Sequence, residues 1–505
     1  MAASPPTQEK KAGLSYWAAR TLEECDKASE GFAADPVHDL RVAIRRCRSM
    51  ADGFLSVDPD PAWKQMKRLA KPLFSSLGDL RDTQVMMEWL AKLGAPDDPV
   101  TQSLTTELAS KEAEQKAAAQ DSLAKFDRNE WLSLNDHLAG RTDTIPLDGT
   151  VFQAVALERW MDAREFHRHA LKNRSGTAYH QLRIGIKRFR YTVENFLPER
   201  HKKWSKDLRD LQDALGEVHD FDVLRAMLKT HRTIAPEGRT RWLAKINDER
   251  KTRLDLYRSK MVGRHSLWEV WRSELPAGEE QDKAALEKLR TWARFLDPDT
   301  SHTELVTGFA LQIFDAISQC GISLPGRRPL VEAGAVLHEI GRDKNADDGK
   351  GGHRKRGFRL ASKLRPPAGW SETDTRYVAA IVRYHRGALP KLDESPLVGL
   401  TAKQRSELMP LIGVVRLANA FDEEHEGVVK KIGVEIKDGT LVIEAQGLEA
   451  FGSTGERIAR ARYLLESACL LPIIVRPFPA QTTATPVRPA QTRRRPSVAR
   501  EKQKA

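Results

Sequence analysis

Two stretches of the sequence each place a histidine and several cations at the spacing of one helical face, HDLRVAIRRCR at 38–48 and HQLRIGIKRFR at 180–190. Residues three and four positions apart share a face of an α-helix. The faces carry His38, Arg41, Arg45 and Arg48 in the first stretch and His180, Arg183, Lys187 and Arg190 in the second. Arginine pairs with phosphate oxygens through two parallel hydrogen bonds, and lysine acts as a compact point charge. These residue types favour noncovalent binding of a polyanion, which protonated histidines would strengthen near or below neutral pH.

The opposite face of each stretch is apolar, which predicts a helix packed against a core. The apolar residues are Leu40, Ala43, Ile44 and Cys47 in the first stretch and Leu182, Ile186 and Phe189 in the second. A row of cations at this spacing repels itself, and an ordinary solvated helix would intersperse acids. The alternative is a pair of solvated basic helices whose histidines merely pack. The repetition favours the binding interpretation.

The similarity continues beyond the two stretches into a second basic helix and a glycine motif. The expected second-helix cations, at i, i+4 and i+7 on one face, are Lys64, Arg68 and Lys71 in the first copy and Lys202, Lys206 and Arg209 in the second. LGDLRDTQV (77–85) then aligns with LGEVHDFDV (215–223). A glycine inside a helix costs about 1 kcal/mol, so its repetition indicates close helix packing. The two copies predict a pseudo-twofold bundle whose cationic faces line a positive groove or pore.

The paired units HDLRVAIRRCR…LGDLRD and HQLRIGIKRFR…LGEVHD resemble the conserved histidine α-helical domain, known as CHAD. The resemblance covers roughly 14–285, with halves of about 14–145 and 146–285. It implies an all-α fold of two pseudo-symmetric halves whose basic surface binds inorganic polyphosphate. Position by position, it assigns that binding to the fourteen histidines, arginines and lysines given above. Gln181 stands where the first copy has Asp39, which leaves the cationic face intact.

From about residue 286 the composition changes, and histidines occur in apolar settings. They are His302, His338, His353 and His385. The segments LHEIG, RYHRGALP and RLANAFD, followed by two alternating strands around Asp438-Gly439, resemble the HD-type C-terminal domain of the exopolyphosphatase and guanosine pentaphosphate phosphohydrolase family over 286–475. Two basic segments, HRKRGFRLASKLR (353–365) and RYHR (383–386), predict an anion-binding surface on this domain too.

In catalytic HD domains a histidine, a His-Asp pair and a later aspartate hold a metal that activates water. The corresponding residues here are His302, His338, Glu339 and Asp422, with Asn419 where an aspartate is common. As ligands they would bind a divalent metal for a phosphohydrolase. As structural residues they would pack in a helical core, which the altered motif favours. The sequence contains no Gly-rich phosphate loop and no α/β domain upstream of this region, so the catalytic module of that family is not expected.

Net charge, apolar runs and cysteine spacing limit where the protein can be located in the cell. The 505 residues carry a net charge of +12, but the segment from Arg476 onward has eight Lys/Arg against one Asp/Glu, a net of +7 that leaves +5 for the rest. We expect disorder at 1–13 and in this basic tail, 476–505. No apolar run predicts a signal peptide or membrane span, and the scattered cysteines suit reduced thiols. These features favour a cytoplasmic protein, with polyphosphate granules as a location.

The sequence therefore predicts a mainly α protein that binds inorganic polyphosphate, without a certain cofactor and without a membrane partner. The alternative is an HD-type metal-dependent phosphohydrolase acting on polyphosphate or on guanosine penta- and tetraphosphate. Nucleic-acid binding ranks third and would be non-specific, because neither repeat contains an aromatic stacking platform or a helix-turn-helix signature. A non-catalytic, granule-associated or scaffolding role is the expected outcome.

Overall fold

The computed structural model describes residues 13–297, 299–319, 327–342, 352–449 and 452–478. The first region is entirely helical. Its first half contains α1 (Leu14–Ser29), α2 (Ala34–Phe54), α3 (Ala62–Leu69), α4 (Lys71–Leu93), α5 (Pro99–Ala124) and α6 (Arg128–Thr142). Its second half contains α7 (Thr150–Asn173), α8 (Gly176–Phe196), α9 (Pro198–Thr230), α10 (Pro236–Met261) and α11 (Leu267–Ser273).

The second region adds a small sheet to a helical core. Its elements are α12 (Glu279–Arg294), α13 (Thr300–Gln319), α14 (Arg328–Val336), α15 (Gly352–Ala361), α16 (Glu372–Tyr384), α17 (Ala402–Ala420), β1 (Lys431–Lys437), β2 (Thr440–Gln446), α18 (Ser453–Cys469) and β3 (Ile473–Pro477). The prediction of a mainly α fold is confirmed. None of the helices in the described ranges combines the length and apolar character needed to cross a membrane.

The predicted hairpin is present, but it belongs to a larger sheet. β1 and β2 pair antiparallel around Asp438 and Gly439, whose φ angles of 46° and 73° suit a tight hairpin turn. β3 then pairs in parallel with β2 after the crossover through α18. Arg476 and Pro477 lie in β3, so the expected start of the disordered tail at 476 is wrong by two residues. The remainder of the predicted tail, from 479, and residues 1–12 lie outside the described residues.

The repeat is visible as α2 followed by α3 and α4 in the first half, and α8 followed by α9 in the second. The expectation of one continuous second helix is wrong for the first copy, because α3 ends at Leu69 and α4 begins at Lys71. Pro72, in the first turn of α4, explains the break, since proline donates no backbone hydrogen bond and fits only a helix start. Lys71 therefore lies on a different helix from Lys64 and Arg68.

One hydrophobic core joins both halves of the first region, and the apolar faces predicted for α2 and α8 contribute to it. Leu40, Ile44, Leu182, Ile186 and Phe189 are all fully buried. A separate core lies in the second region, between 286 and 473. Helix starts agree with the local sequence, because Asp98, Ser175 and Thr401, among others, accept a hydrogen bond from the first turn of the helix they precede.

Equivalent residues of the two repeats meet in that core. Phe54, which ends α2, and Phe196, which ends α8, have ring centroids 5.3 Å apart in an edge-to-face arrangement. Gly53 permits this contact, because a Cβ there would lie 2.2 Å from the Phe196 ring. A contact between equivalent residues is expected near a pseudo-twofold axis, and it places α2 directly against α8.

Candidate functional site

The packing of α2 on α8 brings cations of the two repeats to one place. The guanidinium of Arg45 on α2 lies 5.6 Å from the centroid of the Tyr191 ring, and that of Arg190 on α8 lies 6.0 Å from the same centroid. Arg46 crosses to α8 as well, donating to Glu194 and, at 3.3 Å, to Asn195 Oδ1. These contacts fix the two cationic faces relative to each other.

Lys187 lies within the combined field of both faces. Burial and the nearby charges of Arg183, Arg45 and Arg41 lower the pKa of Lys187 to about 7, against a smaller opposing effect of Asp82. Two of those arginines belong to α2, whereas Lys187 and Arg183 belong to α8. The cations of the two halves therefore act on each other.

The first-copy arginines are held partly by backbone carbonyls. Arg41 donates to Phe74 O at 3.1 Å and Arg48 to Lys67 O at 2.8 Å, and both guanidinium groups lie 4.9 Å from the Phe74 ring centroid. Gly78 makes room for this arrangement, because a Cβ there would lie 2.7 Å from Arg41 Nη1. At the equivalent Gly216 the nearest such atom is Arg183 Nε at 4.0 Å, so the approach is looser.

Several of these cations lack a complete set of partners. The Nε atoms of Arg45 and Arg183 are buried and have no hydrogen-bond partner among the described residues. The Nε atom of Arg190, also buried, forms an ion pair with Glu194 Oε2 at 3.7 Å. Burial lowers the pKa of Arg45, and the positive charges of Arg46 and Arg190 lower it further. A group of partly desolvated cations with unused donors is the electrostatic environment that an incoming anion would stabilise.

The histidines of the two motifs are harder to protonate than a free imidazole. Burial and neighbouring arginines lower the pKa values of His38 and His180, so both imidazoles are neutral at pH 7. His219, which no motif assignment included, lies with Nδ1 3.3 Å from Nδ1 of His180, and burial and Arg183 lower its pKa to about 4. Because burial and the surrounding cations oppose protonation of these imidazoles, the expected gain in binding from histidine protonation is shifted to lower pH in the unbound protein.

The second-helix cations lie on the periphery. All six of these side chains are exposed, namely Lys64, Arg68, Lys71, Lys202, Lys206 and Arg209. Lys202 pairs with Glu199 at 2.6 Å and Lys206 with Asp210 at 2.8 Å. The sequence analysis missed Arg46, Tyr191 and Phe74, which position the central cations. Their contacts cross between helices, and the only signal in the sequence was the position of Tyr191 directly after Arg190.

The second region contains a buried histidine cluster that includes the residues predicted as metal ligands. His302 joins Asp422, with Nδ1 to Oδ2 at 2.8 Å, and His338, with Nε2 to Nε2 at 3.0 Å. Nδ1 of His338 donates to Ala335 O at 2.5 Å. All three side chains are at least 94% buried. The structure therefore brings these three predicted residues into one buried chain of contacts, in which the Nε2 atoms of the two histidines face each other.

Glu339, the fourth predicted ligand, faces His385, with Oε1 3.5 Å from Nε2. Burial lowers the pKa of His385 to about 3, and the contact with His385 holds the pKa of Glu339 below its ordinary value despite burial. Ligand atoms of Glu339, His353 and His385 lie within 4.8 Å of one another, as do those of Glu339, His302 and His425. Asn419 is buried, and neither of its amide atoms has a hydrogen-bond partner among the described residues.

A cavity of about 540 Å³ adjoins this cluster and is rich in arginine. The charged and titratable residues of its lining are His385, Arg386, Arg416, Arg457 and Arg460 together with Glu423 and Glu456. Of the two basic segments predicted to bind anions, only 383–386 contributes to the lining. In the segment 353–365, Arg354 donates to Arg386 O at 2.5 Å and Arg356 to Gly341 O at 2.9 Å, so both contribute to internal structure.

Comparisons with known proteins assign both regions. Residues 17–229 match the model of the CHAD domain, and residues 284–443 match that of the Ppx/GppA phosphatase, domain III. The solved structures that resemble the chain include a crystal structure of the CHAD domain from the plant Ricinus communis, at 20% identity and a TM-score of 0.39, covering 49% of this chain and 88% of that chain. No curated protein matches the chain.

The chain therefore carries a CHAD domain followed by a Ppx/GppA domain III, in the order that the sequence motifs predicted. The presence of these two domain families is consistent with a polyphosphate-related function.

Proposed function

We propose that this protein binds inorganic polyphosphate on a central cationic surface formed by α2 and α8. The surface consists of Arg41, Arg45, Arg183, Lys187 and Arg190. The observation that carries the proposal is the meeting of both repeats at Lys187, whose ammonium is destabilised by arginines from each helix. A polyanion would reverse this unfavourable interaction, since each phosphate group supplies a negative charge to the cluster.

Buried donors support a phosphate ligand in particular. The Nε atoms of Arg45 and Arg183 are hydrogen-bond donors without a hydrogen-bond partner among the described residues, and arginine offers phosphate a planar pair of N–H groups. The carbonyl-bound Arg41 and Arg48 present a fixed orientation, so less side-chain entropy is lost on binding. The neutral His38 and His180 would contribute hydrogen bonds rather than charge.

The exposed cations extend the proposed surface outward. Lys64, Arg68 and Lys71 on the first copy and Arg209 on the second would contact further phosphates of a long chain. Lys202 and Lys206 contribute less, because each is exposed and already paired with a carboxylate. The cavity of the second domain has four arginines against Glu423 and Glu456 and is a weaker second candidate for anion binding. A chain reaching both sites would gain affinity through bivalency.

A metal-dependent phosphohydrolase is the second candidate, favoured by the joining of His302, His338 and Asp422 in one buried chain. A divalent metal held there would supply a Lewis acid and an activated water. The donor set fits a metal in that Glu339 Oε2 is buried without a hydrogen-bond partner. Access argues against catalysis, however, because His302, His338 and Glu339 are at most 3% exposed.

The decisive experiment compares variants of the central surface with variants of its periphery. Arg183→Ala with Lys187→Ala should weaken polyphosphate binding at least about tenfold, because both cations lie at the centre. The matched control, Lys202→Ala with Lys206→Ala, removes two cations that are exposed and paired, and it should change affinity far less. Equal losses in both double variants would show that binding follows net charge alone.

Competition by nucleic acid tests the class of ligand. The logarithm of the affinity for polyphosphate should fall linearly with the logarithm of the salt concentration through counterion release. Double-stranded DNA at equal charge concentration should compete poorly, because a duplex is too wide to reach partly buried cations between packed helices. Equal competition by DNA would contradict the polyphosphate proposal.

A further inference from the structure

Helix α12 has two buried sides, and they face different domains. On one side, Leu286, Leu289 and Ala293 belong to the core of the second domain. At about 100° per residue, Lys288 and Phe295 fall on the opposite side, where α12 packs on α7 of the first domain. Phe295 contacts the core of that domain. Because α12 is apolar toward both cores, each domain covers one of its sides.

The contact between α12 and α7 contains a buried ion pair. The ammonium of Lys288 donates to both carboxylate oxygens of Glu158, to Oε1 at 2.6 Å and to Oε2 at 2.7 Å. Each of the two side chains is 9% exposed. Removing one member of such a pair leaves a buried charge without its partner, whereas replacing both members by apolar groups is often neutral. The pair therefore makes α7 specific for a helix that carries a matching lysine.

The segment that follows α15 contacts the same face of α7. Asp162, four residues after Glu158 and on the same side of the helix, accepts from Nη1 of Arg365 at 2.8 Å. Ala368 belongs to the core of the first domain, and its carbonyl accepts from Gln281 Nε2 of α12 at 3.0 Å. Separating the domains would therefore expose apolar surface of the first core as well as break polar contacts.

Helix α7 also packs closely on α8, the helix that carries Arg183 and Lys187. A Cβ at Gly185 of α8 would lie 3.1 Å from Ala163 Cα, so the two helix backbones approach each other closely. Helix α7 thus contacts both the helix with the proposed polyphosphate surface and the first helix of the second domain. Domains of one chain move independently unless their interface is large and apolar, and the shared packing here opposes such motion.

We propose that the face of α7 around Glu158 is a docking surface for the second domain, and that the two domains unfold as one cooperative unit. Apolar packing holds the domains together, and the Glu158–Lys288 pair selects the docked arrangement. Polyphosphate bound on α8 would then stabilise the second domain too, a consequence that rests on the proposed function. The second domain thereby has a structural role that requires no catalysis.

The first measurement is thermal unfolding of the full-length protein without ligand. Scanning calorimetry of the wild type should show one transition, and two separate transitions would overturn the proposal. Lys288→Met should lower the midpoint by several degrees or split the transition, because Glu158 is left without its partner. The matched control, Lys283→Met, removes an exposed lysine of the same helix that pairs with Glu280 at 2.8 Å, and it should unfold as the wild type does. Equal effects of the two variants would also overturn the proposal.

A double variant keeps the test decisive if the single variant fails to fold. Glu158→Leu with Lys288→Met replaces both charges by apolar side chains, so it should recover the single transition and most of the lost stability. Recovery would assign the loss to an unpaired charge at the contact between the domains. A double variant no more stable than Lys288→Met would overturn this assignment of the docking surface.

Hydrogen exchange in the presence of polyphosphate separates coupling from binding. In the wild type, polyphosphate should slow exchange of the most protected amides in α8 and also in α17, which lies in the core of the second domain. Slower exchange in α8 alone would leave polyphosphate binding intact and overturn the coupling. No change in either helix would contradict polyphosphate binding itself, whereas the unfolding of the ligand-free variants would still decide whether the domains dock through Glu158.

Discussion

Arg45 and Lys187 occupy the same position in the two repeats, and the charge of Arg45 acts on Lys187 where α2 packs on α8. The charge of Arg45 contributes, after burial and Arg183, to a pKa of about 7 for Lys187. An exposed lysine would keep a value near 10.5. The pseudo-twofold arrangement thus concentrates like charges at its centre, at a cost in stability that a bound polyanion would offset.

This cost predicts a pH-dependent effect of Lys187→Met on stability. The unfolded chain binds about one more proton than the folded chain between pH 7 and 10.5, so folding stability rises with pH across this window. Removal of the charge should raise the free energy of unfolding at pH 6 by about 1 kcal/mol or more. The gain should shrink at pH 9, where Lys187 is already neutral in the folded state. Thermal unfolding at the two pH values measures both effects.

Polyphosphate binding should be linked to proton uptake by the same lysine. Because a polyanion favours the charged ammonium, binding at pH 8 should take up about one proton, and affinity should fall as pH rises above about 7. Titration calorimetry in two buffers of different ionisation enthalpy measures the uptake. Lys187→Arg, which stays charged, serves as the control and should abolish the uptake. An unchanged uptake in this variant would assign the proton to another group.

The two repeats should contribute about equally to binding. Arg41→Ala with Arg45→Ala should weaken polyphosphate binding about as much as Arg183→Ala with Lys187→Ala. Both pairs contribute to the same positive electrostatic potential at the contact of α2 with α8. Folding should survive both changes, because the substitutions relieve like-charge repulsion and spare the apolar faces. A large effect of one pair with none of the other would confine the ligand to one half.

The repeated glycines offer a matched pair of single substitutions. Gly78→Ala would place a Cβ 2.7 Å from Arg41 Nη1, so this flexible guanidinium must move, and polyphosphate affinity should drop severalfold. Gly216→Ala meets no atom closer than 4.0 Å and should leave binding unchanged. Both changes should preserve or raise stability, since alanine is favoured over glycine in helices by about 1 kcal/mol. Binding isotherms of the two variants provide the comparison.

The periodicity of the sequence was sufficient to predict the elements and faces of the first domain. Leu40 and Ile186 are buried as their spacing required, and Arg41 and Lys187 lie on the opposite faces. Periodicity within one helix says nothing about its partner, however. The roles of Tyr191, Phe74 and Glu194 depend on how α2, α4 and α8 pack, so they became visible only in the structure.

In the second domain, too, features set by neighbouring residues could be predicted from the sequence, whereas features set by contacts between distant segments could not. The Asp438-Gly439 turn identified the hairpin, whereas β3 escaped prediction because a five-residue parallel strand depends on pairing across α18. Motif position predicted that His302, His338 and Asp422 would meet. It gave no indication that His425 would stack on His302, with ring centroids 3.6 Å apart, or that Arg386 would approach His353.

The burial of that cluster leads to the last prediction, which concerns catalysis. Hydrolysis at a metal requires an open coordination position that the substrate can reach. Glu339 and His385 are at most 1% exposed, and His338 is equally buried. We therefore expect no release of phosphate from polyphosphate, or from guanosine penta- and tetraphosphate, in the presence of Mg²⁺, Mn²⁺ or Zn²⁺.

A colorimetric phosphate assay over several hours, with and without each metal, measures this. The double variant His338→Ala, Glu339→Ala should still bind polyphosphate, since the central cationic surface belongs to the other domain. Its stability should be lower by about 1–3 kcal/mol, because buried hydrogen-bonding groups are removed. Robust metal-dependent hydrolysis by the wild type that disappears in this variant would make the second domain an enzyme, with the buried cluster opening to admit its substrate.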